Sequence, residues 1–440
     1  MPASESTKYR FAYWSFGILV FIAILLGSLT AVYKYNNRIP DLKIPTHSVP
    51  KDNALDYFVR AAKMAPRGAL SGPLSNKYPP EEWTNAELLY WYRAAQPAIA
   101  MARLGITKPC VQKPVRGWSD LDYSGGFANT REAARTLSSA AYACYRQGDY
   151  GKAADYSLDA AEIGAGFDNG GDLMTALVAN ANFSLGVYPL EDVLPNLDSA
   201  ELDSAARRLE IIKKKVRPWR EVVREEGYSS MAGELETLRS SSPGAMFTIP
   251  ALLTSATSAS SPPRPMLQEI VEGISYVFQN KRQMVSADQR FYEQLEKEAD
   301  EPYTGHSKAV HGSVFSSDTV VTARPVHVRM VATIEVLRTY VAVLRYHKAI
   351  GHYPKTLADL VPRYLPSVPV DPFGGASRPP LRYWLKGTSF LLYSVGSDMK
   401  DNGGTPTRPG RLSTAGDLVA GRMFERYAPP RPKDHKDLPG

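Results

Sequence analysis

Residues 140–164 read AAYACYRQGDYGKAADYSLDAAEIG. Small residues and aromatics recur there at the spacing of a helix face, and Gly148-Asp149-Tyr150 places turn residues in the middle. The reading is two helices joined by a tight turn, the second carrying Ala153, Tyr156 and Ala160 on one face. Working outward, the text keeps that period. Residues 53–64 open an amphipathic helix. Pro80-Glu81-Glu82-Trp83 puts Pro and acids where a helix N-terminus favours them, and that helix is expected to run through Leu89, Trp91 and Ile99 to Leu104. Residues 111–127 carry Pro and Gly and read as a loop, while 266–298 read as helix again. The region 45–315 is expected to be one helical domain. A Ser/Pro/Ala-rich loop at 240–265 interrupts it, and 304–325 reads as a second connection.

The 140–164 hairpin resembles one tetratricopeptide (TPR-like) unit, on Ala141, Tyr145, Gly148, Tyr150, Ala153 and Ala160. A solenoid needs about three stacked repeats, and the Gly-Asp-Tyr turn occurs once. The expectation is a single α-hairpin inside a helical domain that binds protein partners.

With 440 residues, 44% hydrophobic and 22% charged, whole-chain disorder, a collagen-like fibre and a multi-span transporter are excluded. Two cysteines exclude a disulfide-rich scaffold and a four-thiolate zinc site. Cys110 and Cys144 read either as a pair in an oxidising compartment or as buried free thiols. A net charge of +7 is too mild for a nucleic-acid footprint, and no nucleic-acid partner is expected. Base is concentrated between 204 and 226, where Lys213, Arg217, Arg220 and Arg224 share a face if a helix continues through Pro218. That face reads as a patch for anionic headgroups or an acidic partner, or as a solvated surface.

Residues 11–33, FAYWSFGILVFIAILLGSLTAVY, hold no charge and match the length of a membrane-crossing helix. Tyr13 and Trp14 at one end and Tyr33 and Tyr35 at the other bracket the run as interfacial aromatics do. A cleaved signal peptide is the alternative, with Ser28 and Thr30 its best small pair. The expectation is an uncleaved signal anchor: a cytoplasmic head at 1–10, a single pass at 11–33 through a bacterial cytoplasmic membrane, and an extracytoplasmic bulk. Lys8 and Arg10 before the run and Lys34, Arg38 and Lys43 after it nearly balance.

Residues 327–350, HVRMVATIEVLRTYVAVLRYHKAI, read as one amphipathic helix with a stripe of Val328, Val331, Ile334, Leu337 and Val341, ended by Gly351. His352-Tyr353-Pro354, Leu357, and Asp371-Pro372-Phe373-Gly374 follow. Two short strands are expected at 381–385 and 390–394, then Tyr393-Ser394-Val395-Gly396-Ser397-Asp398 and Gly403-Gly404. In order and spacing this set resembles the C-terminal half of the major pseudopilin of type II secretion systems. There a long helix runs into a Gly-x-Tyr-Pro turn, an Asp-Pro-aromatic-Gly turn, a small antiparallel sheet and a Gly-Gly loop. The resemblance implies a pseudopilin-like α+β module at 325–425, a disordered tail at 426–440, and association with a type II secretion or pilus-like assembly. It also implies a Ca²⁺ site in the loop after the sheet, with Asp398, Asp401 and Asp417 as ligands. Turns in which Asp398 and Asp401 bond their own backbone are the alternative. The membrane run lies far upstream of the long helix, and 4–10 lacks the pseudopilin processing site. The module therefore reads as transplanted onto a helical anchor protein. The whole pattern is similar to membrane-anchored proteins of unassigned role common in planctomycete-type bacteria.

No Gly-rich phosphate loop, His-Glu-x-x-His or Cys-x-x-Cys occurs. Gly305-His306-Ser307-Lys308-Ala309 lacks the last Gly of a nucleophile elbow, and Ser397-Asp398-Met399-Lys400 is a bare Ser-x-x-Lys. His306 and His311 find no third metal ligand in the sequence. No catalytic residue, no enzymatic activity and no small-molecule substrate are assigned. The expected function is a membrane-anchored structural or interaction protein. An extracytoplasmic hydrolase of unrecognised type is the alternative.

Overall fold

The computed structural model describes residues 5–66, 84–120, 126–240, 280–309, 319–406 and 415–423. The Ser/Pro-rich stretch at 241–265, the Pro80–Trp83 helix start, His311 and the 426–440 tail lie outside these residues.

The chain is mainly helical, with one small sheet. Helix α1 (Glu5–Asn36) contains the apolar window Phe16–Asn36, none of it buried. Its 21 residues rise about 31 Å, which matches a hydrocarbon core of about 30 Å. Helix α2 (Ala54–Met64) buries Phe58 and Ala61. Helices α3 (Asn85–Ala94) and α4 (Gln96–Ile106) replace the single helix expected to reach Leu104. Pro97 lacks the N–H a continuous helix requires, and it sits instead in the first turn of α4, where none is needed. Thr84 caps α3 in a reciprocal box with Glu87.

Helices α5 (Gly126–Arg146), α6 (Tyr150–Gly166) and α7 (Leu173–Val193) form the centre. Gly148, at φ +77°, turns the chain between α5 and α6, and Asp149 caps α6 by accepting from Lys152 N. The small residues let backbones touch. A Cβ on Gly164 of α6 would lie 2.1 Å from Phe183 N of α7, and one on Gly186 of α7 would lie 2.3 Å from Ala161 N. Helices α8 (Ser199–Lys215) and α9 (Trp219–Ser240) follow, separated at Val216 and Pro218 rather than continuing through the proline. Helix α10 (Lys281–Ala299) packs on α9.

Helix α11 (Thr319–Ile350) starts earlier than the expected 327 and carries Pro325 within it. Gly351 ends it at φ +88°. The expected single stripe proves too narrow. Every residue from Ala332 to Leu344 is buried, Glu335, Arg338 and Thr339 included, because α7 and α8 cover one side and the sheet the other. Strands β1 (Arg382–Lys386) and β2 (Ser389–Ser394) pair antiparallel from Arg382↔Tyr393 to Lys386↔Ser389. A third strand absent from the sequence reading, β3 (Leu418–Val419), pairs with Tyr393 and Ser394. Among the described residues one hydrophobic cluster runs from Phe58 through Phe183 and Val341 to Phe373, Leu392 and Met423.

Candidate functional site

The motifs of the C-terminal region meet at Asp371. Its carboxylate is 2% exposed and accepts from Phe373 N (3.0 Å), Ser394 Oγ (2.6 Å) and Val395 N (2.9 Å). Asp371 N donates to Pro379 O at 2.8 Å. The Asp-Pro-Phe-Gly turn is thereby clamped to the end of β2, where Tyr-Ser-Val-Gly begins. Phe373, fully buried, packs edge-on against Tyr303 at 5.7 Å. Across the sheet, Phe390 meets Tyr340 of α11 and Tyr353 of the Gly-x-Tyr-Pro turn.

The three expected Ca²⁺ ligands lie in the loop beyond. Asp401 accepts from Tyr393 Oη (2.7 Å), Gly403 N (3.0 Å) and Arg382 Nε (3.1 Å). The Tyr393 hydroxyl in particular holds its carboxyl below the usual range. Asp417 is fully buried and accepts from Asn402 N (3.2 Å) and Gly404 N (2.7 Å). Burial raises its carboxyl pKa. Asp398 accepts from Lys400 N, the Asn402 amide and Gly416 N. All six carboxylate oxygens thus already face N–H or O–H donors. Among the described residues no three acidic, His or Cys side chains converge as a metal-ligand group. Ca²⁺ takes six to eight oxygens, of which three carboxylates would supply a part. As placed, Asp398 and Asp401 each accept from backbone two residues on, at Lys400 N and Gly403 N.

Many bases of the basic stretch pair with acids of other elements, several while still exposed. Lys213 pairs with Glu335 of α11 at 2.7 Å, Arg220 with Asp300 at 2.7 Å, and Arg224 with Glu296 of α10 at 3.1 Å. Arg217, 7% exposed, donates to the carbonyls of Asp168 and Gly171. Arg208 bridges Asp159 and Glu162 of α6, and Arg103 of α4 also reaches Asp159. These ion pairs tie helices together.

Both cysteines are free thiols. Burial pushes Cys110 up to about 12 and raises Cys144 as well, so neither is a ready nucleophile. Ser307 donates to Glu298 at 2.7 Å and accepts from Ala309 N, which commits its hydroxyl to a turn.

The structure adds a second region, at the junction of α1 with the body. After α1 the chain is extended, and Ile39, Leu42 and Ile44 pack against Leu235, Leu238, Met284 and Val285 of α9 and α10. Pro45 O accepts from Arg116 Nε at 2.7 Å, and Arg116 pairs with Glu225 of α9 at 2.8 Å. His47 reaches Gln112 O at 3.0 Å. A cleft of about 250 Å³ opens beside this tether, between Leu42, Ile44, Tyr228, Met231 and Tyr292. The alternation of Leu42 and Ile44 with exposed Asp41 and Lys43 was the available signal in the sequence.

Acids are buried along the same helices. Glu226 accepts from Leu173 N at 3.0 Å, and burial, helped by the Asp172 charge, pushes it up to about 7. Glu234 is fully buried opposite Asp288 of α10, and burial followed by that neighbouring charge takes it up to about 8. Folded carboxyls with raised pKa bind protons that the unfolded chain has released. Their contribution to stability is complete below the unfolded value of about 4.3 and is lost as pH rises through the folded value. Stability to urea is expected to fall between pH 5 and pH 8 (roughly), by at most about 1.4 kcal/mol per pH unit for each such group. Glu234→Gln is expected to flatten that fall; an unchanged slope in urea titrations across the range would count against a protonated Glu234.

Comparison of the chain with protein-family models, with curated proteins and with solved structures finds no match in any of the three.

Proposed function

We propose that the protein is a membrane-anchored, extracytoplasmic structural or interaction protein. Its helical body is held at the bilayer by α1 and the docked tether, and its C-terminal region presents a pseudopilin-like sheet to a secretion or pilus-like assembly. The observation that carries the reading is the apolar window Phe16–Asn36, which is unburied and finds no apolar cover among the described residues. Removing such a surface from water is worth about 25 cal/mol per Å², and a bilayer core of matching thickness supplies that environment. Support for the assembly role is the ordered set of motifs that Asp371 joins. Support for the interaction role is the helical body, with its TPR-like α5–α6 hairpin.

Alkaline carbonate extraction of membranes from expressing cells is expected to leave the full chain in the pellet. Protease added to spheroplasts is expected to remove the body. Recovery in the soluble fraction would end the anchoring reading, and a body protected in intact spheroplasts would reverse the orientation.

A further inference from the structure

We infer that the body rests on the bilayer through one end of the α9–α10 pair, where Lys34, Arg38, Lys43, Arg239 and Arg282 form a binding face for anionic lipid headgroups. The inference rests on the membrane reading above and adds a lipid chemistry to it.

Chain length places the face. The apolar window ends at Asn36, and Ile39 is already packed against α9 and α10. Three extended residues span at most about 11 Å. The cluster of Leu235, Leu238, Met284 and Val285 that receives Ile39 therefore lies close to the helix end. Arg239 follows Leu238 at the end of α9, and Arg282 lies one turn before Val285 at the start of α10. Lys34 occupies the last turn of α1, Arg38 follows it, and Lys43 points outward from the docked tether.

Charge then selects the partner. All five cations are exposed, and none makes an ion pair among the described residues. The acids nearby are largely committed elsewhere. Glu236 accepts from Trp118 N at 2.6 Å, Glu225 holds Arg116, and Glu234 is buried against Asp288. Asp41 is the exposed acid of the tether. Arg208, Lys213, Arg220 and Arg224, in contrast, are each paired with an acid of the chain. Fixed cations this close to a headgroup plane lie within about one Debye length of it, and each such cation changes surface binding by about fivefold. Continuity with the membrane helix favours a lipid phosphate over an acidic peptide, because Lys34 lies in the last turn of that helix and Arg38 directly after it.

The test uses the full chain in vesicles of phosphatidylcholine alone and in vesicles with about a third phosphatidylglycerol, read by amide hydrogen exchange at 235–240 and 281–285. Exchange there is expected to be slower in the anionic vesicles, by about fivefold or more, and high salt is expected to erase the difference. The double variant Arg239→Gln, Arg282→Gln is expected to erase it too, with exchange in α5–α7 unchanged as the control for folding. Equal exchange in both vesicle types, with the protein retained through carbonate extraction, overturns this inference alone. Inorganic phosphate reproducing the slowing in phosphatidylcholine vesicles also overturns it, in favour of a free-anion site. Release by carbonate overturns the anchoring reading and this one together.

Discussion

Replacing Asp371 with Ala is expected to detach the C-terminal sheet from the rest of the core. The carboxylate satisfies Phe373 N, Ser394 Oγ and Val395 N in a site 2% exposed. Removing it leaves those donors without an acceptor and without water. Each unsatisfied buried donor costs about 1–3 kcal/mol, so a loss of about 3–5 kcal/mol is expected. Asp371→Asn keeps the shape but turns one acceptor into a donor, and should still cost about 2 kcal/mol or more. Amide exchange should rise in β2 and β3 first, because both strands sit against this clamp. Asp398→Ala is the comparison: it removes bonds made in a partly exposed turn, and should cost about 1 kcal/mol or less. Equal melting of the Asp371 and Asp398 variants would show that the clamp is not what holds the module.

The second large effect is expected at Gly164. A methyl there meets the backbone of α7, 2.1 Å from Phe183 N and 2.4 Å from Phe183 Cα. Backbone cannot step aside as a side-chain tip can, so α6 and α7 must separate along their whole contact. Overpacking of this kind costs about 1–3 kcal/mol and sometimes more, and Gly164→Ala should reach the upper end despite the better helix propensity of Ala. Gly126→Ala has nothing within 4 Å of its new methyl and should change stability by about 0.5 kcal/mol or less. Urea unfolding of the two variants side by side checks the argument. Equal midpoints would mean that the α6–α7 contact yields freely.

Much of the local architecture was legible in the sequence because its signals are local. The small-residue period of 140–164, broken by Gly148-Asp149, is enough for two helices and a turn. An uncharged run of bilayer length is enough for the apolar helix. Two short apolar runs, at 381–385 and 390–394, a few residues apart are enough for the β1–β2 hairpin. The single helix expected to reach Leu104 divides because Pro97 outweighs an apolar period that runs across it. The strand β3 was missed because two residues carry no period, and only their pairing with Tyr393 and Ser394 makes them a strand.

The tertiary structure alone decided where the charges go and which surfaces are covered. A run of bases has the same composition whether it faces solvent or a partner. Its meaning changed when acids distant in the chain arrived beside it, Glu335 at Lys213 and Glu296 at Arg224. Arg338, outside the expected apolar stripe, is itself buried and donates to Glu210, a residue 128 positions away. The same holds for Asp371, whose partners at 394 and 395 make a clamp of what reads in sequence as an ordinary turn acid. It holds also for the tether, whose three apolar side chains acquire a place only from the groove of α9 and α10. Periodicity reports which side of an element avoids water. It carries no information about which other element supplies the cover or the countercharge, because that depends on chain closure over tens to hundreds of residues.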